Sequence, residues 1–436
     1  MVNHFDHKEA CRYIEDAAKL GSRPGLGRIG RLCDLLGNPE DELRFIHIAG
    51  TNGKGSTAAM ISSVLQCAGA KVGMYYSPAL CGLTDHFRIN GELISEDEYA
   101  RCVSKVARAN DRLVKECNES ATQFELETAV ALVWFCKNHC DAVILECGMG
   151  GRDDATNIVR NKICCVFTSI SFDHMQYLGN TLTDIAEVKS GIITSDCPVI
   201  ALESCREVTD VIRKRCDETG SILYTVDPAN VSYTVDEDGI CINCEEYSNV
   251  RVGLAGAYQA ENAAVAVKVL TVMDKEQLAK GCAMDESVIR KGLADVSWPF
   301  RFERIGEDPL IFVDGAHNED AALKLTKTIE DRLRGRRIIL VLGMFSDKEY
   351  EKVIAILAKC ANMIFTLTVP DAARALTADK IAECALRYCK DVTVCNSIKE
   401  AYDLATLAAR NEGVNTAVVA AGSLSYLHQF KNRSNG

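Results

Sequence analysis

The sequence predicts a two-domain α/β protein. The N-terminal domain, residues 1–296, has a mainly parallel sheet and a small β subdomain, and a smaller doubly wound α/β domain spans 297–436. Three observations predict this. Short apolar runs alternate with amphipathic helical stretches, the pattern of a parallel sheet covered on both faces. One run, residues 44–49 (RFIHIA), leads directly into a glycine-rich turn and then a helical stretch. The alternation breaks near residue 221 and restarts after Ser297-Trp298-Pro299, which marks the boundary.

Each element has its own signature. An amphipathic N-terminal helix precedes the first strand. Residues 57–68 carry apolar side chains at helical spacing, and 71–76 read as the next strand. Residues 95–117 and 125–139 are long amphipathic helices. Residues 142–146 (AVILE) form an apolar strand ending in a carboxylate, and 163–169 and 198–201 are further strands. Short alternating segments at 231–235 and 239–243 flank Asp236-Glu237-Asp238 and predict a β-hairpin subdomain. Helices at 260–273 and 285–296 follow. Beyond the boundary, strands at 310–314, 337–342, 363–367, 392–395 and 416–420 alternate with helices in Rossmann-like order.

Composition narrows the function. A length of 436 residues exceeds one ordinary core and suits two domains. The net charge of −12 argues against a general nucleic-acid binder, because phosphate contacts need a basic face. No apolar run approaches the ~18 residues that span a bilayer. The N-terminal stretch lacks the apolar core of a secretory signal. A cytoplasmic monomer with no membrane partner is therefore expected. The 21 cysteines are scattered through apolar runs, and Cys241 and Cys244 form an isolated Cys-x-x-Cys. Reduced, mostly buried thiols fit this pattern, rather than a disulfide framework or a structural zinc.

The segment Gly50-Thr51-Asn52-Gly53-Lys54-Gly55-Ser56 sits between strand and helix, the P-loop context. Glycines let backbone N–H groups close around phosphate oxygens, and the helix N-terminus adds its positive dipole end. Lys54 would reach the β- and γ-phosphates of ATP, and a hydroxyl from Ser56 or Thr57 could approach Mg²⁺. The spacing is not the common one: Ile48 stands where that pattern has its first Gly, and Gly55 separates Lys54 from Ser56.

Three further groups are candidates for chemistry. Glu146 ends a buried strand, as a metal-binding carboxylate of an ATPase does. Residues 171–178 (SFDHMQYL) follow another strand and offer Asp173 and His174, and Lys189 lies in a helical stretch. Read alone, each has a plain alternative. A strand-end Glu can cap a helix, a His can be a hydrogen-bonded loop residue, and a Lys can be solvated.

These motifs together resemble the Mur ligase superfamily, and within it the folylpolyglutamate synthase/dihydrofolate synthase family. The loop G-T-N-G-K-G-S resembles that family's phosphate loop. Gly25-Leu26-Gly27-Arg28-Ile29 resembles its G-L-x-R-[IV] loop ahead of the first strand. The segment from Glu146 to Asn157 (ECGMGGRDDATN) resembles its E-x-G-[LM]-G-G-R-x-D-A-T-N, and Asp314-Gly315-Ala316-His317-Asn318 its D-G-A-H-N. The resemblance implies an ATP-dependent ligase that activates a folate or dihydropteroate carboxylate as an acyl phosphate and joins it to L-glutamate. It implies two Mg²⁺ sites involving Ser77, Glu146 and His174, and a carbamate on Lys189. It implies that Asn262 reads adenine, that Asp314 contacts the ribose, and that Arg301 and His317 lie at the phosphates. Thr122-Gln123-Phe124-Glu125 resembles the T-x-F-E start of a helix near the pterin, on the same substrate side as Gly27 and Arg28. Ser423 matches a G-S-L near glutamate. The chain departs from the family pattern at Ala79, Phe87, Asp153 and Tyr258.

Competing readings fit less well. A muramoyl-peptide ligase would carry an additional uridine-binding domain, and 43 residues precede residue 44. A guanine-specific switch would show N-K-x-D, whereas Asn161-Lys162-Ile163-Cys164 lacks the Asp. A catalytically silent binding protein would not need Lys54, Glu146, His174 and Lys189 together.

Overall fold

The computed structural model describes residues 4–194, 197–236, 239–278, 283–371 and 373–434; Glu237 and Asp238 of the expected hairpin lie outside them. The chain divides into two compact units. One comprises Met1–Val231, Cys244–Ser248 and Glu261–Val296, the other Ser232–Asn243, Asn249–Ala260 and Ser297–Gly436.

The first unit is built on eight strands: β1 (Phe45–Ala49), β2 (Val72–Tyr75), β3 (Phe87–Ile89), β4 (Glu92–Leu93), β5 (Ala142–Glu146), β6 (Lys162–Phe167), β7 (Val199–Leu202) and β8 (Leu223–Val226). Their order is β4-β3-β2-β5-β1-β6-β7-β8. The pairs from β2 to β8 are parallel, and β3 and β4 add an antiparallel edge. β1 and β5 are buried along their whole length, as continuous apolar strands covered on both faces must be. Phe45, Val143 and Leu145 pack with Ile29, Val130 and Phe135. In register with them on the same face, Ala49, Cys165 and Phe167 pack with Ile185 and Ile192. Side-chain caps fix the helix starts. Thr122 and Glu125 form a capping box on the helix Gln123–Lys137, and Thr181 and Asp184 form one on Leu182–Ser190.

Two sequence expectations change here. The G-L-x-R segment is a loop only at Gly25 and Leu26: from Gly27 it belongs to the helix Gly27–Leu36, which buries Ile29, Leu32, Cys33 and Leu36. The expected hairpin is a three-stranded antiparallel sheet of β9 (Ser232–Val235), β10 (Ile240–Asn243) and β11 (Val250–Val252). These strands group with the C-terminal unit rather than with residues 1–296. The reason is a set of polar ties to the helix Glu319–Arg332. Arg332 Nη1 donates to Gly239 O at 2.8 Å, Tyr233 Oη to Asp331 Oδ2 at 2.7 Å, and Ala257 N to Thr328 Oγ1 at 3.0 Å.

The main sheet of the second unit contains β12 (Glu303–Glu307), β13 (Leu310–Val313), β14 (Arg337–Leu342), β15 (Met363–Thr366), β16 (Val392–Val394) and β17 (Thr416–Ala421) in the order β12-β13-β17-β14-β15-β16. All pairs are parallel except β12 with β13. Its core includes Phe312, Leu325, Leu340, Ile364 and Val419. Among the described residues, no helix is long and apolar enough to cross a membrane, and the cysteines are free thiols.

Candidate active site

Strand order decides where a site can form in the first unit. β1 lies between β5 and β6, so the chain leaves the sheet in different directions around it, and ligands of open α/β sheets bind at such carboxyl ends. Ser77 follows β2, Glu146 ends β5, the glycine loop follows β1, and Asp173 and His174 come after β6. These four strands are neighbours.

The loop is held from below by residues just after β6. Thr51 N donates to Ser169 O at 2.7 Å, and Thr51 Oγ1 to Ser171 O at 3.0 Å. Asn52 N also points at Ser169 O, at 3.4 Å. Gly53 has φ of 90°, a left-handed conformation, and a Cβ there would lie 2.2 Å from Asn262 Oδ1. Only glycine satisfies both constraints. Asn262, the fourth residue of the helix Gln259–Lys275, therefore sits against the loop. The helix Lys54–Cys67 starts at once, with Gly55, Ser56 and Thr57 buried in its first turn. Thr57 Oγ1 is buried and has no hydrogen-bond partner among the described residues.

Lys54 Nζ donates to Thr51 O at 3.2 Å and stands 3.6 Å from Glu146 Oε1. Lys189 approaches from the other side. It is buried on the helix Leu182–Ser190, and its Nζ donates to Gly50 O at 2.7 Å. Burial, and secondly the charge of Lys54, push the Lys189 ammonium down to about 7, against the pull of Cys147, Asp173 and Asp154. A large share of Lys189 is then a neutral amine near pH 7, the form that can react with CO₂. His174 has φ of 50° at the start of the short helix Met175–Leu178, and its Nε2 is 3.8 Å from Asp173 Oδ2.

The donor set can be tested against Mg²⁺. Among the described residues no group of three or more His, Cys, Asp or Glu side chains is placed to hold a metal ion. Mg²⁺ does not need one, because it keeps several waters and is commonly held by one or two carboxylates together with substrate phosphates. Glu146 beside Lys54 at the mouth of the loop fits that mode, and Asp173 with His174 offers a second position.

Sequence reading did not single out the network that braces this mouth. Asp154 Oδ2 accepts from Met149 N at 2.8 Å, and its Oδ1 accepts from Thr156 N at 3.0 Å and Thr156 Oγ1 at 2.5 Å. Thr156 Oγ1 in turn lies 2.9 Å from Nε2 of the buried His47. Gly151 presses this segment onto the Lys189 helix, since a Cβ would be 2.6 Å from Lys189 O. The A-T-N part of the motif carried the signal.

Arg28 Nε donates to Glu125 Oε2 at 3.2 Å. Gly27, Arg28 and Phe124 are thus brought to one place by the Thr122–Glu125 capping box. The Phe124 ring lies over Gly148 and 6.0 Å from the Tyr75 ring. Phe87 is buried, with its ring stacked at 5.6 Å on that of Tyr75. Two residues before Phe87, Asp85 pairs with Arg88 at 2.5 Å and accepts from Tyr76 Oη at 2.6 Å.

In the second unit, Asp314 follows β13 and is 3% exposed. Its Oδ2 accepts from Tyr258 Oη at 2.5 Å and Phe302 N at 2.8 Å, and its Oδ1 from Ala316 N at 2.9 Å. Burial raises its carboxyl, opposed by the Tyr258 hydrogen bond and the charge of Arg301. Arg301 Nη1 passes directly over Gly315. His317 Nδ1 is 2.7 Å from Gly315 O, so that nitrogen carries the proton, and Asn318 caps the helix Glu319–Arg332 through Ala321 N. Ser423, just past β17, joins this turn, where Gly422 N donates to Ala316 O at 2.9 Å.

Residues 48–270 match the Mur ligase middle domain, and residues 300–424 match the Mur ligase glutamate ligase domain. The dihydrofolate synthase/folylpolyglutamate synthase of Bacillus subtilis is 32% identical over 434 residues, covering 98% of this chain and 99% of that protein. The chain belongs to this family of Mur ligases. As a member it is an ATP-dependent ligase. The folylpolyglutamate synthase of Lacticaseibacillus casei is 32% identical over 85% of this chain and 87% of that protein. Among solved structures, Mycobacterium tuberculosis folylpolyglutamate synthase complexed with ADP and AMPPCP is similar at a TM-score of 0.88 and 28% identity, covering 99% of each chain. E. coli FolC in complex with DHPP and ADP is similar at 0.82 and 29%, covering 98% of this chain and 97% of that one.

Proposed function

We propose that this ligase joins L-glutamate to the carboxyl group of a folate, acting on both dihydropteroate and tetrahydrofolate. The observation that carries the reading is Lys54 set between its own loop and Glu146, with Lys189 on Gly50 O. That cluster suits activation of a carboxylate by a triphosphate.

An acceptor carboxylate oxygen attacks the γ-phosphorus of ATP in line. The bond to the β,γ-bridging oxygen breaks, giving an acyl phosphate and ADP. The neutral amine of glutamate then attacks the acyl carbon, the carbon–oxygen bond breaks, and phosphate leaves as the amide forms. Thr51, Asn52, Gly53, Gly55 and Ser56 surround the phosphates, and Lys54 stabilises the charge that builds on them. Ser56, Ser77, Glu146 and His174 would hold Mg²⁺ at two positions, where the ion would supply positive charge for activating the acceptor carboxylate with the triphosphate. Lys189, as a carbamate, would add a carboxylate to that set. Asn262 reads adenine, and Arg301 and His317 meet the phosphates. Asp314 would reach the ribose by exchanging a donor such as Tyr258. Gly27, Arg28 and Phe124 face the pterin, and Ser423 serves glutamate.

A non-folate acceptor is the second reading, favoured by Ala79 and by the burial of Phe87. A substrate panel separates the two. Purified protein with Mg²⁺ should convert ATP to ADP and form amide when glutamate is supplied with dihydropteroate or tetrahydrofolate. Failure with both pterins would remove the folate assignment and leave the ligase class. The reading includes a cytoplasmic monomer with no nucleic-acid partner, which sedimentation of the pure protein tests.

A further inference from the structure

Two consecutive buried side chains, Asp85 and His86, hold the chain on either side of Ser77. β2 ends at Tyr75, whose register partner on β3 is Phe87. The ladder stops there, and the next pair along, Tyr76 and His86, is joined by a side chain instead. His86 Nδ1 lies 2.7 Å from Tyr76 O. A carbonyl oxygen only accepts, so Nδ1 carries the proton and donates it. At the other end of the same residue, Tyr76 Oη donates to Asp85 Oδ2 at 2.6 Å. That carboxylate oxygen also accepts from Leu80 N at 3.0 Å and Cys81 N at 3.3 Å. One atom thus fastens residue 76 and residues 80–81, and Ser77-Pro78-Ala79 spans the gap between them.

The two gripping side chains are fixed in turn. Asp85 Oδ1 pairs with Arg88 at 2.5 Å. The His86 ring packs 5.9 Å from the Tyr75 ring, and its Nε2 stands 4.0 Å from Oε1 of Glu127, on the helix Gln123–Lys137. Gln123 Nε2 holds that Glu127 oxygen at 2.8 Å. The sheet edge does not need this grip, since three residue pairs already join β2 to β3. Its remaining effect falls on the residue that follows Tyr76.

We propose that Asp85 and His86 are positioning residues: they fix the backbone on both sides of Ser77 and so direct its hydroxyl toward the Mg²⁺ that accompanies the triphosphate. The proposal rests on the reading of Ser77 as a metal-binding residue. A serine side chain has one heavy-atom torsion with three wells, so the place of its oxygen follows the backbone closely. Mg²⁺ demands near-ideal octahedral geometry, and a neutral hydroxyl offers it little charge, so placement decides what that oxygen contributes.

Calorimetry on the full chain, with no acceptor or glutamate present, gives the dissociation constant of AMPPCP in excess Mg²⁺ and in EDTA. The ratio of the two constants reports the metal at the bound triphosphate without any turnover. Asn and Gln at position 86 separate the ring nitrogens, because an Asn amide N–H can replace Nδ1–H and a Gln amide reaches the place of Nε2. Ser77→Ala and His86→Gln should each lower the ratio ~tenfold, the scale of residues in and behind a metal's ligand shell. His86→Asn should keep the parent ratio, and His86→Gln should add nothing further in the Ser77→Ala background. If His86→Gln does not fold, Tyr76→Phe, which removes the hydroxyl end of the grip, decides in its place by lowering the ratio. An unchanged ratio in the position 86 or 76 variant, with Ser77→Ala still lowering it, overturns the proposal and leaves the reading of Ser77 standing. An unchanged ratio in Ser77→Ala overturns that reading and the proposal with it. Equal losses in His86→Asn and His86→Gln, or a His86→Gln loss undiminished without the Ser77 hydroxyl, place His86 in the fold alone and overturn the proposal.

Discussion

Lys189 Nζ donates to Gly50 O across 2.7 Å and so ties the helix Leu182–Ser190 to the first residue of the phosphate loop. The two residues are 139 positions apart. The bond places a buried amine beside Lys54, and the proximity of two cations helps hold Lys189 down to about 7. An amine in this state is expensive to protonate and available for reaction. Both properties can be measured.

The first measurement is stability against pH. An unfolded lysine titrates near 10.4, about three units above the folded value. Between about 7 and 10.4 the unfolded chain binds more protons than the folded one, so this group makes stability rise with pH across that window. Its full penalty applies below pH 7. Lys189→Met should therefore unfold at a higher temperature than the parent at pH 6.5, with the margin shrinking toward pH 9.5. A margin that grew with pH would contradict the depressed ammonium.

The second is chemical rescue. If Lys189 acts as a carbamate, Lys189→Ala should lose on the order of a hundredfold in turnover and regain part of it with added acetate or propionate, which supply the missing carboxylate. Turnover indifferent to the substitution, or unaffected by the additives, would reject that role. Mass spectrometry after trapping the carbamate gives an independent check.

Gly53→Ala tests the loop itself. The added Cβ would meet Asn262 Oδ1 at 2.2 Å, in a backbone conformation of φ 90° that disfavours L side chains. Strain of this kind costs ~1–3 kcal/mol. Denaturant unfolding should show that loss. KM for ATP should rise more than kcat falls, because Asn262 must move from the loop it touches. A stability unchanged within error would mean that the loop relaxes freely.

How much of this was legible in the sequence depends on the kind of contact. β1 and β5 were readable because continuous apolar runs ended in Gly50 and Glu146, where burial on both faces leaves little choice of residue. Glu303–Glu307 was not, since Glu-Arg-Ile-Gly-Glu becomes a strand by antiparallel pairing with β13 rather than by apolar pattern. Gly27-Arg28-Ile29 was read as the end of a loop rather than the start of the helix Gly27–Leu36, because two glycines hid the buried stripe of Ile29, Leu32 and Leu36. Lys54 and Glu146 could be found from strand ends. The Lys189–Gly50 bond and the Asp314–Tyr258 pair join distant segments, and local pattern carries no trace of such contacts.

Tyr258→Phe tests the second unit. Tyr258 Oη holds Asp314 Oδ2 at 2.5 Å and opposes the effect of burial on that carboxyl. Removing the hydroxyl leaves a buried carboxylate with fewer donors, a cost of ~1–3 kcal/mol. The sign with pH follows. A carboxyl raised in the folded state is penalised above its folded value and relieved as pH falls through it toward the unfolded value near 4. The melting-temperature deficit of the variant should be largest at pH 8 and smaller near pH 4.5. An equal deficit at both would place the loss in packing rather than charge.

Metal removal separates a nucleotide-borne ion from a structural one. Glu146 stands 3.6 Å from Lys54 and, among the described residues, no group of three or more His, Cys, Asp or Glu side chains is placed to hold an ion. The proposed Mg²⁺ would be held jointly with the triphosphate, as Mg²⁺ commonly is. EDTA should abolish ATP turnover while leaving the melting temperature of the nucleotide-free protein within ~1 °C of its starting value, because an ion absent from that state contributes nothing to its stability. Adding ATP should raise the melting temperature, and adding ATP with Mg²⁺ should raise it further. Glu146→Gln should remove most of the Mg²⁺-dependent increment and spare the part due to ATP alone. A fall in melting temperature on adding EDTA to the nucleotide-free protein would instead require a metal held by the protein unaided, and would move Glu146 from substrate chemistry to structure.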